Sequence, residues 1–180
     1  ENIDIQIGRV LAQLEKMGEL ENTWIIYTAD HGTPGRNGPL RGGKGGLWDG
    51  GIRIPLLIRG PNAEAGAHSS VLTTGADLVP TVADLAGVTE LPSELEGGSL
   101  RSVLADPAGG SVQRRSNELV FHFPHYDKDS LGPVSAIIAD NYKLIRVYED
   151  GSHLLFDLSK DIGEQNNLGK SMSGKVQELD

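Results

Sequence analysis

A carboxylate, an imidazole and an ammonium fall close together in this chain, on a stretch too rich in glycine to be regular structure. Thr28-Ala29-Asp30-His31-Gly32 is followed by Leu40-Arg41-Gly42-Gly43-Lys44-Gly45 and then by Gly50-Gly51-Ile52-Arg53-Ile54-Pro55. Asp and His are metal-ligand types, and Lys is a compact point charge for an anion. Side by side they describe a pocket for a cation and an oxyanion. Nine glycines between Gly32 and Gly51 allow the tight turns and close backbone approaches such a pocket needs.

Charge points the same way. The chain of 180 residues carries a net charge of -9, yet the charged side chains between His31 and Arg53 are Arg36, Arg41, Lys44, Asp49 and Arg53. A cationic pocket in an acidic protein suits a small anionic group. Nucleic acid is not an expected partner, because affinity for a polyanion needs a broadly basic surface. Gly38-Pro39-Leu40-Arg41-Gly42-Gly43-Lys44 satisfies the opening of a phosphate-binding P-loop, but Gly45 stands where Ser or Thr must reach Mg²⁺. The glycines that follow also open no helix, so an NTPase is not expected.

The elements that position these residues follow from periodicity. Trp24 to Ala29 is apolar without strict alternation and reads as a strand covered on both faces, with Asp30 and His31 at its carboxyl end. In open α/β sheets, ligands bind at that edge. Ile3, Ile7, Val10, Leu11, Leu14 and Met17 recur at helical spacing, with Gly18 where a cap belongs, and this stripe is expected to pack on the sheet. Ile54 to Ile58 is a second buried strand and Ser69 to Thr73 a short third. Asp77 to Ala86 is a helix that tolerates Pro80 in its first turn and ends at Gly87, and Leu100 to Leu104 a brief one.

Beyond Ser116 the pattern changes. Glu118–Phe123, Val134–Ala139, Tyr142–Tyr148 and His153–Leu158 are strand-like runs separated by turns, which predicts an antiparallel meander. Residues after Gly169 read as the start of a helix. His122 and His125, beside aromatics at a strand end, fit either a substrate cleft or surface histidines. The chain is expected to divide into residues 1–115 and 116–180. There are no cysteines and no apolar run of bilayer-spanning length.

These motifs, in this order, resemble the C-terminal half of a formylglycine-dependent sulfatase of the alkaline-phosphatase-like superfamily. Further matching runs are Asp77-Leu78-Val79-Pro80-Thr81, Tyr142-Lys143-Leu144-Ile145-Arg146, Leu155-Phe156-Asp157-Leu158 and Asp161-Ile162-Gly163-Glu164-Gln165-Asn166-Asn167-Leu168. The resemblance implies an α/β fold, part of an alkaline-phosphatase-like sandwich, with a small C-terminal antiparallel sheet. It implies that Asp30 and His31 bind a divalent metal and that Lys44 contacts the sulfate and the leaving oxygen. Calcium is the expected ion, with zinc or manganese as alternatives because imidazole suits softer cations. His122, His125 and Arg36 are candidate substrate contacts. Ile138 stands where many relatives carry arginine in an Ala-Ile-Arg run.

No serine opens the Cys/Ser-x-Pro/Ala-x-Arg motif that yields the family's formylglycine nucleophile, and the paired aspartates that complete the metal site are absent. The chain is therefore expected to be a fragment, silent alone, whose partners are a sulfated small molecule or glycan and the missing N-terminal half. Resemblance places the whole enzyme in the periplasm or outside the cell. A phosphate or phosphonate ester hydrolase of the same superfamily is the nearest alternative, and a non-catalytic module that binds sulfated glycan is another.

Overall fold

The computed structural model describes residues 2–127 and 131–180. In chain order its elements are α1 (Asn2–Met17), β1 (Ile25–Thr28), α2 (Asp49–Ile52), β2 (Leu56–Arg59), α3 (Leu78–Leu85), α4 (Arg101–Ala105), β3 (Leu119–Phe123), β4 (Val134–Ala139), β5 (Tyr142–Val147), β6 (His153–Asp157) and α5 (Ser173–Leu179). The chain forms two compact units that interleave along the sequence: Glu1–Thr28 with Pro55–Val112, and Ala29–Ile54 with Gln113–Asp180.

In the first unit, β1 and β2 pair antiparallel from Ile25 opposite Arg59 to Thr28 opposite Leu56. Alternation along β2 turns Leu56 and Ile58 inward, where they pack with Val71 against Leu100, Val103 and Val112. The buried carboxylate of Asp77 organises the start of α3, accepting from the backbone N–H groups of Thr74 and Gly98. One turn on, the Thr81 hydroxyl donates to the Asp77 carbonyl and accepts from the Leu100 N–H. Pro80 sits in the first turn of α3 as expected, and Gly87 follows its end with φ 76°.

Three expectations for this unit are corrected. Among the described residues β1 has one neighbouring strand, β2, and it is half-buried with Tyr27 exposed. The Ser69–Thr73 run forms no strand; the Val71 N–H turns back onto the Ser69 hydroxyl, a local bond that competes with a sheet ladder. Helix α1 ends at Gly18 with φ 73° as predicted, but its stripe is covered only in part: Ile7, Leu11 and Leu14 are half-buried, while Ile3, Val10 and Met17 are exposed. Its sixteen residues span about 24 Å, whereas a four-residue strand spans about 13 Å, so the two-stranded ribbon is too short to cover that stripe.

The second unit holds the predicted meander, β3-β4-β5-β6, antiparallel throughout. Asp140 takes φ 51° in the β4–β5 turn and Gly151 φ 68° before β6. Alternation directs Val134, Ala136, Ile145, Val147 and Phe156 to one face, where they bury Leu47 and Trp48 from the glycine-rich segment. The Trp48 ring meets Phe156 edge-on at 5.8 Å between centroids. This contact roots the candidate site in the sheet.

Phe156 is 1% exposed, so Phe156→Ala should cost about 3–5 kcal/mol by lost burial and a residual cavity. Val120 on β3 is 68% exposed, and Val120→Thr should change stability by less than about 0.5 kcal/mol. Urea denaturation of the two variants checks both values.

Candidate active site

Main-chain contacts fold residues 32–51 back on themselves. The Gly32 N–H donates to the Gly51 carbonyl at 2.9 Å and the Gly50 N–H to the Arg41 carbonyl at 2.7 Å. A Cβ on Gly32 would lie 1.8 Å from the Gly50 carbonyl oxygen, and one on Gly50 2.4 Å from that of Gly42. Glycine is needed at both places because two backbones touch there. The Lys44 N–H donates to the Thr33 carbonyl at 3.1 Å, two residues from His31. The Asn37 amide binds three carbonyls, those of Thr33, Gly35 and Gly42, and so sets the turn that bears Arg36.

Asp30 and His31 follow β1 directly in the chain. His31 Nδ1 lies 2.8 Å from its neighbour's carbonyl at Gly32, so Nδ1 carries the proton and donates it. Nε2 lies 3.0 Å from Asp30 Oδ2. Two electron-rich atoms at that distance require something positive between or beside them: a proton on Nε2, or a metal ion bound by both. The donor set, one carboxylate oxygen and one imidazole nitrogen with its tautomer fixed through the other ring nitrogen, fits a divalent cation. The Asp30 side chain is 83% exposed and so open to a ligand. Among the described residues no group of three or more His, Cys, Asp or Glu could hold a metal ion, so a metal at this pair would need donors from elsewhere.

The loop's charges divide into committed and uncommitted groups. Arg53 Nε donates to Asp49 Oδ2 at 2.7 Å. The Arg41 guanidinium covers the Trp48 ring at 3.7 Å and donates to the Glu164 carbonyl at 2.9 Å. Lys44 and Arg36 are exposed, and their side chains make no hydrogen bond or ion pair within the described residues.

Beneath the loop lies a buried ionic cluster that motif reading did not single out. Lys143 Nζ, on a side chain with no solvent exposure, sits 2.8 Å from Asp49 Oδ1 and 2.7 Å from Glu164 Oε1. Glu164 Oε2 accepts the Asp49 N–H at 2.8 Å. Burial pushes the Glu164 carboxyl above its ordinary range, against the opposing pull of Lys143. One signal was available in the sequence: strand alternation in Tyr142–Val147 puts Lys143 on the same face as Ile145 and Val147, where a lone ammonium demands a partner.

The two histidines of the His122–His125 run serve different surroundings. His122 Nδ1 lies 2.6 Å from the Ser135 hydroxyl, and its ring meets Tyr148 edge-on. It occupies the face of β3 opposite Phe121 and Phe123, which pack against the core. His125 sets its ring against Phe123 at 5.4 Å. The segment reaches the glycine loop through Asp127, whose Oδ2 would be 2.6 Å from a Cβ on Gly45. Asp127 was not among the predicted site residues.

The fold and site define a chain of alkaline-phosphatase-like α/β type, built around an Asp-His pair and a lysine-bearing glycine loop. The sulfatase family model matches residues 1–88. A sulfatase of Formosa agariphila is 39% identical over 93% of this chain and 34% of its own length. An N-acetylglucosamine-6-O-sulfatase of Bacteroides thetaiotaomicron is 36% identical over 97% of this chain and 32% of its length. Among solved structures, BT4656 in complex with its substrate D-glucosamine-2-N,6-O-disulfate superposes with TM-score 0.77 at 35% identity, over 98% of this chain and 36% of that one. A phosphonate monoester hydrolase of Silicibacter pomeroyi does so with TM-score 0.76 at 28% identity, over 98% and 37%. The chain belongs to the sulfatase family. It spans about a third of the length of the curated relatives it matches.

The raised Glu164 carboxyl links stability to pH. Because its folded value lies above the ordinary 4.5, the folded state holds a proton there that the unfolded chain has released. That contribution is complete below the ordinary value and is lost as pH rises through the raised one. The destabilisation caused by Glu164→Gln, measured by urea denaturation from pH 4.5 upward, should therefore shrink as pH increases. A difference that grows with pH would contradict the sign.

Proposed function

We propose that this chain supplies the C-terminal part of a sulfatase active site that hydrolyses sulfate esters, of carbohydrates foremost and of aryl alcohols. The observation that carries the reading is Lys44. It is an ammonium without a partner among the described residues, on a loop where Arg41, Asp49 and Arg53 are engaged, and its own N–H is bonded to Thr33, two residues from His31. On this reading residues 1–115 complete the catalytic α/β domain and residues 116–180 form the C-terminal β subdomain.

Asp30 and His31 would hold a divalent cation, calcium by family likeness, which when bound supplies charge to polarise the sulfate oxygens. Lys44 places an ammonium where negative charge builds on the departing oxygen and stabilises it there. The nucleophile, a formylglycine by the same likeness, comes from residues this chain does not contain. Arg36 is free to meet a further anionic group on the substrate. His125 and Asp127 would approach from the C-terminal subdomain, while His122 is engaged with Ser135 and Tyr148 on the other face of β3. The named activity of the N-acetylglucosamine-6-O-sulfatase relative and the disulfated glucosamine bound to BT4656 both favour an amino-sugar sulfate as substrate class.

A second reading has specific support. Imidazole at the metal site suits zinc, and the phosphonate monoester hydrolase shares the fold. Assays of the full-length protein separate the two. We expect cleavage of N-acetylglucosamine 6-sulfate and 4-nitrophenyl sulfate, loss of activity on chelation, and weak or no turnover of a phenylphosphonate monoester. Lys44→Ala should lower kcat by about 10²-fold or more, as removal of a charge-stabilising donor does. Zinc by metal analysis together with a phosphonate preference would establish the second reading.

A further inference from the structure

We propose that Lys143 and Glu164 are positioning residues for Lys44, acting through the two ends of the segment that bears it. The proposal rests on the sulfatase reading above. Seven residues separate Arg41 from Asp49, and four of them, Gly42, Gly43, Gly45 and Gly46, are glycines. Such a segment has the greatest backbone freedom to lose and no side chains on those four residues with which to restrain itself. Beyond the Lys44 N–H bond to the Thr33 carbonyl and the Asn37 amide on the Gly42 carbonyl, its place is set from its ends.

Glu164 holds both ends. Its carbonyl accepts the Arg41 guanidinium at 2.9 Å, while its carboxylate accepts the Asp49 N–H at 2.8 Å. Presenting main chain and side chain to two targets at once goes with φ 53°, a left-handed conformation that is costly for a residue with a Cβ. Lys143 then fixes Glu164 against Asp49 by bridging their carboxylates at 2.7 and 2.8 Å. Arg53 occupies the other Asp49 oxygen. Within this cluster each charge has an opposite neighbour, Glu164 Oε1 meeting Lys143 as an ion pair without a well-aligned hydrogen bond, and the buried pairing restrains the arrangement. Lys44 has no partner of its own among the described residues. Its position is inherited from the anchored backbone, and a displacement of about 1 Å there costs a catalytic group much of its effect.

A purely structural cluster would lower activity without regard to substrate, whereas loss of Lys44 positioning must fall hardest on poor leaving groups. The test compares kcat of the full-length protein on N-acetylglucosamine 6-sulfate, with its alkoxide leaving group, and on 4-nitrophenyl sulfate, which departs without help. In Lys143→Met the ratio of the two kcat values should drop about ten-fold, with each KM within about three-fold of wild type, the pattern expected for an interaction made in the transition state. Lys44→Ala should drop the same ratio further, and adding Lys143→Met to it should change the ratio no more. Glu164→Gln, which keeps an acceptor for the Asp49 N–H, perturbs folding least and should lower the ratio in the same direction. Val103→Ala, a core change in the first unit, should leave the ratio unaltered. If Lys44→Ala moves the ratio while Lys143→Met and Glu164→Gln do not, the positioning role is overturned and the sulfatase reading stands. A wild type that cleaves neither sulfate ester overturns both.

Discussion

A lysine ammonium sealed from water between two carboxylates is the constraint around which the second unit is arranged. Lys143 cannot be left alone there, because an unpaired buried charge is among the costliest features a fold can contain. Its demand is met by Asp49 from the glycine-rich segment and by Glu164 from the loop after β6. Three stretches far apart in the chain are thereby drawn to one point. Breaking such a group by deleting one member typically costs about 3–5 kcal/mol, so the cluster acts more as a specification of geometry than as a surplus of stability.

Apolar packing completes what the ions begin. Trp48 sits between the Arg41 guanidinium above and the Phe156 ring edge beside it. Leu47 joins it among Val134, Ala136, Ile145 and Val147. The glycine-rich segment is thus not a loose excursion from the fold. Its middle is embedded in the sheet's core and its exposed part is a short, tethered arc, which is the rigidity the proposed oxyanion site would require.

Much of this was legible in the residues, and the exceptions have a common physical origin. Strands β3 to β6 follow from alternation and from turn residues such as Asp140 and Gly151, which act over a few positions. The Asp30-His31-Gly32 and Gly42-Gly43-Lys44-Gly45 motifs are equally local. Partners are not. Periodicity shows that Ile3, Val10 and Met17 share a face of α1, but it says nothing of whether a surface exists to receive it. Asp49 and Glu164 lie 115 positions apart, and nothing local to either names the other. His122 and His125 look like one constellation on paper because only two residues separate them, yet strand alternation sends the first to the outer face and Phe123 draws the second toward the core side.

The contact between Gly32 and Gly50 has a consequence for how this pocket can diversify. Carbonyl oxygens occupy the space that any side chain would need, so a larger residue at either site would force the two backbones apart. On the proposed sulfatase reading, new specificity would be written in the exposed stretches around it, at the turn bearing Arg36 and in the His125–Asp127 approach. The glycine-restricted cradle and the adjustable rim are then separate parts of the same loop system, and selection for altered substrates should leave its mark on one and spare the other.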